Sequence, residues 1–179
     1  SSELWEDLNA DNRNPLFNRV VLGLYPPAST WKLAVAGIGL DLGVITPDDK
    51  MPVPCTGSYV FGDRSYRCWD PDGHGFNNLA EAIGNSCDVY FYQLGLRIGL
   101  DPLLRRSTEI GFSRKCGIDL PQESQGIFPS EREFWERRFG YAPREGEVLP
   151  LSIGQGPNSQ TPLKIAQFYL ALARDGSAP

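Results

Sequence analysis

Residues 26–43 read PPASTWKLAVAGIGLDLG, which joins a proline lead-in to a hydroxyl–amine pair and an apolar run. The two prolines cannot lie in the interior of a preceding helix, so they hold the chain extended before the next one. From Ser29 to about Leu42 the side chains are apolar nearly all round, and Gly43 is a typical helix stop. The segment therefore predicts a helix that is buried in the interior of the domain.

The rest of the chain predicts a mainly helical fold with one hairpin. The hairpin is indicated where Tyr59–Phe61 and Ser65–Arg67 flank Gly62-Asp63, a two-residue turn signal. Further helix signals are found at Leu4–Leu8, at Leu79–Gly84 with Asn78 as cap, at Val89–Ile98 before Gly99, from Asp101-Pro102 to Gly111 with Asp101 as N-cap, at the capping-box spacing of Ser130 and Glu133, and from Thr161-Pro162 through Leu172. We expect five or six helices and long loops, and no run of alternating strands indicates a central sheet.

The composition limits the class of protein. Of the 179 residues, 41% are hydrophobic and 22% are charged, which is typical of one globular domain or a piece of one. Seventeen basic and 22 acidic residues give a net charge of −5, which argues against nucleic-acid binding. The longest apolar run, Leu33–Leu40, is too short to cross a bilayer, and the first residues do not resemble a signal peptide. The chain is therefore expected to be cytosolic unless a targeting segment lies outside it.

Ser29 and Lys32 stand three residues apart at the start of the predicted buried helix, and therefore on one face of it. A serine hydroxyl needs a base beside it to act as a nucleophile at neutral pH, and a lysine amine can be that base where its surroundings favour the uncharged form. The helix N-terminus adds N–H groups that can stabilise a developing oxyanion. The S-x-x-K pattern is common by chance, so an N-cap serine beside a solvated lysine is the alternative interpretation.

A second polar pair, Ser86 and Asp88, stands two residues apart at another predicted helix start. Such a pair can place a hydroxyl and a hydrogen-bonding carboxylate together. The alternative is a helix cap, in which Ser86 is the capping residue and Asp88 interacts favourably with the helix dipole. The pattern taken alone favours the cap.

Together the two motifs resemble the signature of the penicillin-binding transpeptidases and serine β-lactamases, S-x-x-K followed by S-x-N or S-x-D. The surrounding sequence segments resemble those of penicillin-binding protein 2, the class B, elongation-specific D,D-transpeptidase of rod-shaped bacteria. The segments that carry this resemblance are PLFNR (15–19), YPPAST (25–30), GVITP (43–47), GHG (73–75), SCDVYFY (86–92), SIGQG (152–156) and TPL (161–163). The resemblance implies an α/β (α+β) penicillin-binding/β-lactamase-like fold. Residues 1–179 would be a partial transpeptidase domain, mainly its helical part and a hairpin loop.

By that resemblance, Ser29 attacks the penultimate D-Ala carbonyl of a peptidoglycan stem peptide and releases the terminal D-Ala. Lys32 takes the proton of Ser29. Ser86 relays a proton to the leaving amine, and Asp88 orients Lys32 or the substrate. An amine of a neighbouring stem peptide then resolves the acyl-enzyme and completes the cross-link. β-Lactam antibiotics, which mimic D-Ala-D-Ala, would acylate Ser29.

The resemblance also implies a location and a partner. The parent would be an inner-membrane-anchored protein with this domain in the periplasm, and a SEDS-type (RodA-like) glycan polymerase would be its partner. The third family motif, K-T-G or K-S-G, does not occur in the 179 residues. In the family it lies on a sheet strand downstream of Gly154-Gln155-Gly156, so we expect it, together with the central-sheet strands, outside this chain.

Other functions stay open at this point. In a D,D-carboxypeptidase or a β-lactamase, water resolves the acyl-enzyme; no deacylating glutamate motif is recognised in this chain. The alternative outside the enzymes is a non-catalytic fragment or a β-lactam sensor, stabilised by a zinc ion bound to the cysteines and histidine described next.

Three of the four cysteines and the single histidine form the spacing C-x12-C-x5-H-x12-C, from Cys55, Cys68, His74 and Cys87. Three thiols and an imidazole are a ligand set of closed structural zinc sites. About the predicted hairpin turn, Cys55 would face residue 70, which leaves Cys68 on a diagonal within reach. Some members of the resembled family are reported to hold zinc in this loop. A Cys55–Cys68 disulfide is the alternative, because the family works in an oxidising compartment. Cys116 is expected to be a bystander.

Overall fold

The structure is a computed structural model, and it describes residues 2–120 and 122–176. Within these ranges the chain forms one two-stranded sheet, two 3-10 turns and eight α-helices. The helices are α1 (Ser2–Ala10), α2 (Lys32–Asp41), α3 (Leu79–Gly84), α4 (Asp88–Ile98), α5 (Leu100–Ile110), α6 (Glu133–Phe139), α7 (Val148–Ser152) and α8 (Pro162–Ala173). The strands are β1 (Ser58–Phe61) and β2 (Arg64–Arg67), and the 3-10 turns are Ala28–Trp31 and Glu145–Glu147. The mainly helical fold with one hairpin is confirmed. The expected number of helices was too low, because short buried helices such as α7 carry no amphipathic period.

Two helices, α2 and α4, lie at the centre of the core. The buried helix predicted from Ser29 to Leu42 is confirmed, except that its first turn, Ala28–Trp31, is a 3-10 turn. Helix α4 buries eight of its eleven residues and packs against α2, α5 and α7.

Glycines allow these helices to cross closely. A Cβ at Gly39 would lie 2.9 Å from Cδ1 of Leu94, and a Cβ at Gly95 would lie 2.7 Å from Cβ of Ser152. Both distances are shorter than ordinary contacts between carbon atoms. Helices α2, α4 and α7 therefore form a closely packed unit, which we call the helical frame.

Several predicted helix ends are confirmed by their hydrogen bonds. Asn78 and Glu81 form a capping box at the start of α3. The side chain of Thr161 accepts a hydrogen bond from the backbone N–H of Lys164, which caps α8. Gly99 and Gly111 follow α4 and α5 with φ angles of +82° and +107°, which residues with a Cβ rarely adopt.

Two predicted caps are wrong. Asp101 is not an N-cap, because α5 begins at Leu100 and Gly99 alone separates it from α4. Ser130 and Glu133 do not form a capping box, because α6 begins at Glu133 and its N-cap residue is Arg132. In both places the helix boundary is displaced from the cap signal.

The hairpin is confirmed, with Phe61 paired to Arg64 across the turn Gly62-Asp63. Its extension to the cysteines is wrong. Cys55 does not face residue 70 but exchanges two backbone hydrogen bonds with Gly75, of 2.8 and 2.9 Å. The ladder ends at Ser58 and Arg67, and the chain turns back at Gly73, whose φ is +79°. Residues 55–75, which we call the cysteine loop, are therefore closed by Cys55 and Gly75.

Among the described residues, we find no helix with the length and apolar character needed to cross a bilayer.

Candidate active site and cysteine cluster

Ser29 lies in the 3-10 turn that precedes α2, and a distant glycine holds that turn. The backbone N–H of Ala28 donates to the carbonyl oxygen of Gly154 at 3.0 Å, and Ala28 has a φ of +49°. A Cβ at Gly154 would lie 2.3 Å from the carbonyl oxygen of Ala28 and 2.6 Å from Cβ of Trp31. The hydroxyl of Tyr169 also donates to the carbonyl oxygen of Thr30 at 3.0 Å. The turn is therefore fixed by the segment after α7 and by α8.

The structure brings together the four residues predicted as catalytic. The Nζ atom of Lys32 lies 2.7 Å from Oδ1 of Asp88, 2.7 Å from the carbonyl oxygen of Ser86, 3.0 Å from Oγ of Ser86 and 3.3 Å from Oγ of Ser29. The Ser86 hydroxyl donates to Oγ of Ser29 at 2.8 Å. Two hydroxyls and one amine therefore form a closed triangle, with a carboxylate behind the amine.

The alternative interpretations are wrong for Ser29, Lys32 and Ser86, whereas Asp88 does lie in the first turn of α4, where its charge interacts favourably with the helix dipole. Lys32 is not solvated, because it is 2% exposed and its ammonium is paired with Asp88. Ser29 lies inside its turn and not at the N-cap, which is Pro27. Ser86 is not the cap of α4 either, since the N-cap residue is Cys87.

The charges at this site are partly withdrawn from water. The side chains of Lys32 and Asp88 are 3% and 13% exposed, and Nζ of Lys32 lies 5.6 Å from the centre of the Phe91 ring. A buried charge is tolerated only when it is paired and hydrogen-bonded, and here Lys32 meets both conditions. Substitution of either partner would leave the other charge unpaired.

Ser86 lies in the turn between α3 and α4 and has a φ of +50°. A non-glycine residue in this conformation is strained and needs support from its surroundings. The support comes from the Lys32 contacts and from backbone hydrogen bonds of Ser86 to Ile83 and of Cys87 to Ala82. The position of the Ser86 hydroxyl therefore depends on this turn.

The cysteine loop and the start of α4 bring together the four residues predicted as metal ligands. One ligand atom from each of Cys55, Cys68, His74 and Cys87 lies within 4.8 Å of all the others. Nδ1 of His74 is 3.6 Å from Sγ of both Cys55 and Cys68. The three cysteines are buried free thiols. Cys116, also a free thiol, is not part of this group.

Two edges of the cluster have the length expected around a tetrahedral metal. With metal–sulfur and metal–nitrogen distances of about 2.3 and 2.0 Å, the nitrogen–sulfur edge of a tetrahedron is about 3.5 Å, close to the observed 3.6 Å. The other ring nitrogen of His74, Nε2, is buried without a hydrogen bond, and Oδ2 of Asp70 lies 3.8 Å from it. Burial raises the pKa of the Cys87 thiol to about 12 and also raises the pKa of the Cys68 thiol. The thiols of Cys68 and Cys87 therefore need a nearby cation to become thiolates at neutral pH.

Trp69 links the cysteine loop to the residues predicted as catalytic, a contact that no sequence pattern indicated. Its backbone N–H donates to Oδ2 of Asp88 at 3.1 Å, and its indole N–H donates to the carbonyl oxygen of Asn85 at 2.9 Å. Gly154 belongs to the SIGQG segment (152–156), and no sequence pattern predicted that it also supports the Ser29 turn.

Comparison with known families identifies one match over nearly the whole chain. Residues 4–178 match the family described as penicillin binding protein transpeptidase domain. The peptidoglycan D,D-transpeptidase MrdA of Escherichia coli K12 is 35% identical over 176 residues, which are 98% of this chain and 28% of the relative. The chain thus spans about a quarter of the length of the curated relatives it matches.

Two solved structures are also similar. Penicillin-binding protein 2 of Pseudomonas aeruginosa, in complex with WCK 5153, is 40% identical; the match has a TM-score of 0.91 and covers 99% of this chain and 40% of that one. Penicillin-binding protein 2 of Helicobacter pylori, in complex with MreC, is 36% identical, with a TM-score of 0.88, and the match covers 98% of this chain and 32% of that one.

Proposed function

The chain belongs to the family of penicillin-binding protein transpeptidase domains, and from this premise we propose that its parent protein is a peptidoglycan D,D-transpeptidase with Ser29 as the nucleophile. The observation that carries the proposal is the triangle of Ser29 Oγ, Ser86 Oγ and Lys32 Nζ, with sides of 2.8, 3.0 and 3.3 Å. A hydroxyl beside a buried amine and a second hydroxyl is an arrangement for nucleophilic catalysis with proton relay.

The contacts of Lys32 suit it to accept a proton. To act as the base, Lys32 must pass from its ammonium form to the uncharged amine, which has two N–H donors and one lone pair. The two shortest contacts, to Asp88 Oδ1 and to the Ser86 carbonyl oxygen, take the two donors. The remaining tetrahedral position then faces the hydroxyls of Ser29 and Ser86. Asp88 thus orients Lys32, and once Lys32 is protonated it balances the charge.

The proposed reaction has two stages. Ser29 Oγ attacks the penultimate D-Ala carbonyl carbon and gives its proton to Lys32. The amide bond breaks when the Ser86 hydroxyl passes a proton to the nitrogen of the terminal D-Ala and recovers one from Lys32. In the second stage an amine of another stem peptide attacks the ester, its proton returns to Ser29, and the cross-link forms. β-Lactams acylate Ser29 in the same way.

We further propose that the parent acts in the periplasm during cell elongation, anchored in the inner membrane, together with a SEDS-type (RodA-like) polymerase. The solved structures support a protein partner, since the H. pylori relative is held together with MreC and another similar structure is of a peptidoglycan synthase complex that coordinates polymerization and crosslinking. The compartment, the anchor and the choice of polymerase follow from the family resemblance. Relatives named D,D-transpeptidase favour this function over a D,D-carboxypeptidase or a β-lactamase.

We also propose a structural zinc ion held by Cys55, Cys68, His74 and Cys87. The tetrahedral spacing, the buried thiols and the His74 contacts support it. Four protein ligands close the coordination sphere, so the ion would supply a link between the cysteine loop and α4 and no reaction chemistry. Because Cys87 lies between Ser86 and Asp88, a bond to its sulfur would hold the catalytic turn.

Covalent labelling tests the proposed nucleophile. In the full-length parent, Ser29→Ala should abolish labelling by a fluorescent penicillin, because the attacking oxygen is removed. Its melting temperature should stay close to that of the wild type, since Ser29 makes no capping hydrogen bond. Thr30→Ser, one residue along the same turn, is the control and should label normally. Labelling of Ser29→Ala at the wild-type rate would show that another residue is the nucleophile.

The fate of the acyl group separates the candidate activities. With lipid-linked peptidoglycan precursors and a glycan polymerase, a transpeptidase yields cross-linked peptides, whereas a carboxypeptidase yields only shortened ones. A β-lactamase would release its penicillin label within the time of the assay. A zinc-stapled sensor would label but form neither peptide product.

A further inference from the structure

Trp69 is an exposed aromatic residue whose hydrogen bonds hold it in place. It is 64% exposed, so it contributes little to the hydrophobic core. Its indole N–H nevertheless donates to the carbonyl oxygen of Asn85 at 2.9 Å, and its backbone N–H donates to Oδ2 of Asp88 at 3.1 Å. These two acceptors lie on either side of Ser86 in the chain. A tryptophan fixed by polar bonds at such a place needs an explanation other than packing.

We infer that Trp69 is a positioning residue for the acylation of Ser29: it braces Asn85 and Asp88 so that Ser86 and Lys32 keep their places. The inference rests on the proposed function of Ser29. The hydrogen bonds of Trp69 go to Asn85 and Asp88 and not to Ser29, Ser86 or Lys32.

The first part of the brace acts on Asp88. This carboxylate uses Oδ1 for Lys32 Nζ and Oδ2 for the Trp69 backbone N–H. A carboxylate held at both oxygens cannot rotate about its last torsion without losing a bond. The lysine amine that it orients is thereby held toward the two hydroxyls, at 3.0 and 3.3 Å.

The second part of the brace acts on the turn before α4. Ser86 has a φ of +50°, a conformation that persists only where the surroundings impose it. The indole N–H of Trp69 fixes the carbonyl oxygen of Asn85, the residue just before Ser86. Because a displacement of about 1 Å at a reacting group can lower a rate by about a hundredfold, a loose turn would slow acylation and leave the fold intact.

The ring and the N–H of Trp69 can be separated by mutation. The indole lies 5.3 Å from the His74 ring, centre to centre. Phenylalanine keeps an aromatic ring beside His74 but removes the indole donor to Asn85. Trp69→Phe therefore tests the indole half of the brace, and Trp69→Ala removes that half together with the ring. Both variants keep the backbone N–H that donates to Asp88. Trp5→Phe is the matched control, because Trp5 is 61% exposed on α1.

The experiment measures the acylation of the full-length protein by a fluorescent penicillin over a range of concentrations. We expect Trp69→Phe to lower the limiting rate about tenfold, the effect of losing about one hydrogen bond. The half-saturating concentration, the melting temperature and the zinc content should stay near wild type. Trp69→Ala should be slower still, and Trp5→Phe should behave as wild type.

Several results would overturn the inference. One is a normal limiting rate in Trp69→Phe. Another is a raised half-saturating concentration at a normal limiting rate, which would make Trp69 a contact for the ligand. A third is a slow rate accompanied by loss of zinc, because Trp69 would then act through the metal cluster. A wild-type protein that labels at a residue other than Ser29 would overturn the proposed function and this role with it.

Discussion

The helical frame and the cysteine loop lie side by side and are held together by different forces. In the frame, Val35, Phe91 and Leu94 are fully buried, and stability comes from apolar contacts spread over three helices. The loop leaves Val60 and Trp69 more than half exposed. It is closed by two backbone bonds between Cys55 and Gly75, the hairpin and the thiol–imidazole group.

The helical frame and the cysteine loop also contribute differently to the candidate active site. The frame carries Lys32 on α2 and Asp88 on α4, and Ser29 lies in the 3-10 turn that leads into α2, so their spacing is set by helix packing. Among the described residues, the loop meets this region through the hydrogen bonds of Trp69 and through the cysteine cluster, which includes Cys87. Changes in the frame should therefore alter the chemistry directly, and changes in the loop should alter it by loosening the turn at Ser86.

The largest effect is expected from Lys32→Arg. Arginine keeps the positive charge for Asp88 but does not give up its proton, so it cannot act as a base. We expect the acylation rate of the full-length protein to fall by a factor of about 100 or more, measured with a fluorescent penicillin. Lys164→Arg is the control, because Lys164 is also buried but bonds to Gln167. Near-normal acylation in Lys32→Arg would show that Lys32 supplies only charge.

A smaller effect is expected from Gly154→Ala, which changes the frame without removing a reacting group. Gly154 and Gly156 both have a φ of +72°, so alanine strains the backbone equally at either position. At Gly154 the new Cβ also meets the Ala28 carbonyl oxygen at 2.3 Å, whereas at Gly156 its nearest atom is 3.6 Å away. We expect acylation about tenfold slower in Gly154→Ala than in Gly156→Ala, because the Ser29 turn must shift. Equal rates in the two variants would remove Gly154 from the support of Ser29.

The smallest effect on chemistry is expected from loosening the loop. Elemental analysis of the full-length protein should find about one zinc ion per chain, which is lost in Cys87→Ser and His74→Ala. Loss of the metal should lower the melting temperature, by about 2–4 °C for each kcal/mol of stability in a domain of this size. Acylation should slow by less than in Gly154→Ala, since the frame remains. Cys116→Ser, outside the cluster, should keep both its metal and its rate.

The same measurements distinguish zinc from a disulfide. Because thiols must lose protons to bind a metal, zinc content should fall as the buffer pH falls. A Cys55–Cys68 disulfide instead predicts no metal, no effect of a chelator and sensitivity to reductant. That pattern would contradict the zinc proposal.

Much of the frame could be predicted because its signals are local. The apolar run after Ser29 has no polar face, which is enough to predict a buried helix. Asn78 and Thr161 are caps that bond within their own first turn. The two wrong caps, at Asp101 and Ser130, show the limit of such signals. Helix α5 begins directly after Gly99 and helix α6 directly after Arg132, and neither start is set by the predicted cap residue. The S-x-x-K spacing likewise places two side chains on one face of one helix.

The order of the amino acids specifies the chemical groups and their local spacing: a serine and a lysine three positions apart, a second serine two positions before a carboxylate, and three thiols with one imidazole. Tertiary structure alone decided that Asp88 pairs with Lys32 across 56 positions, that Gly154 supports Ala28, and that Trp69 braces both sides of Ser86. The physical reason is the range of the interactions. Helix periodicity and capping depend on residues that are only a few positions apart. The long-range contacts form only after helix packing and the closure of the cysteine loop bring distant groups within hydrogen-bonding distance.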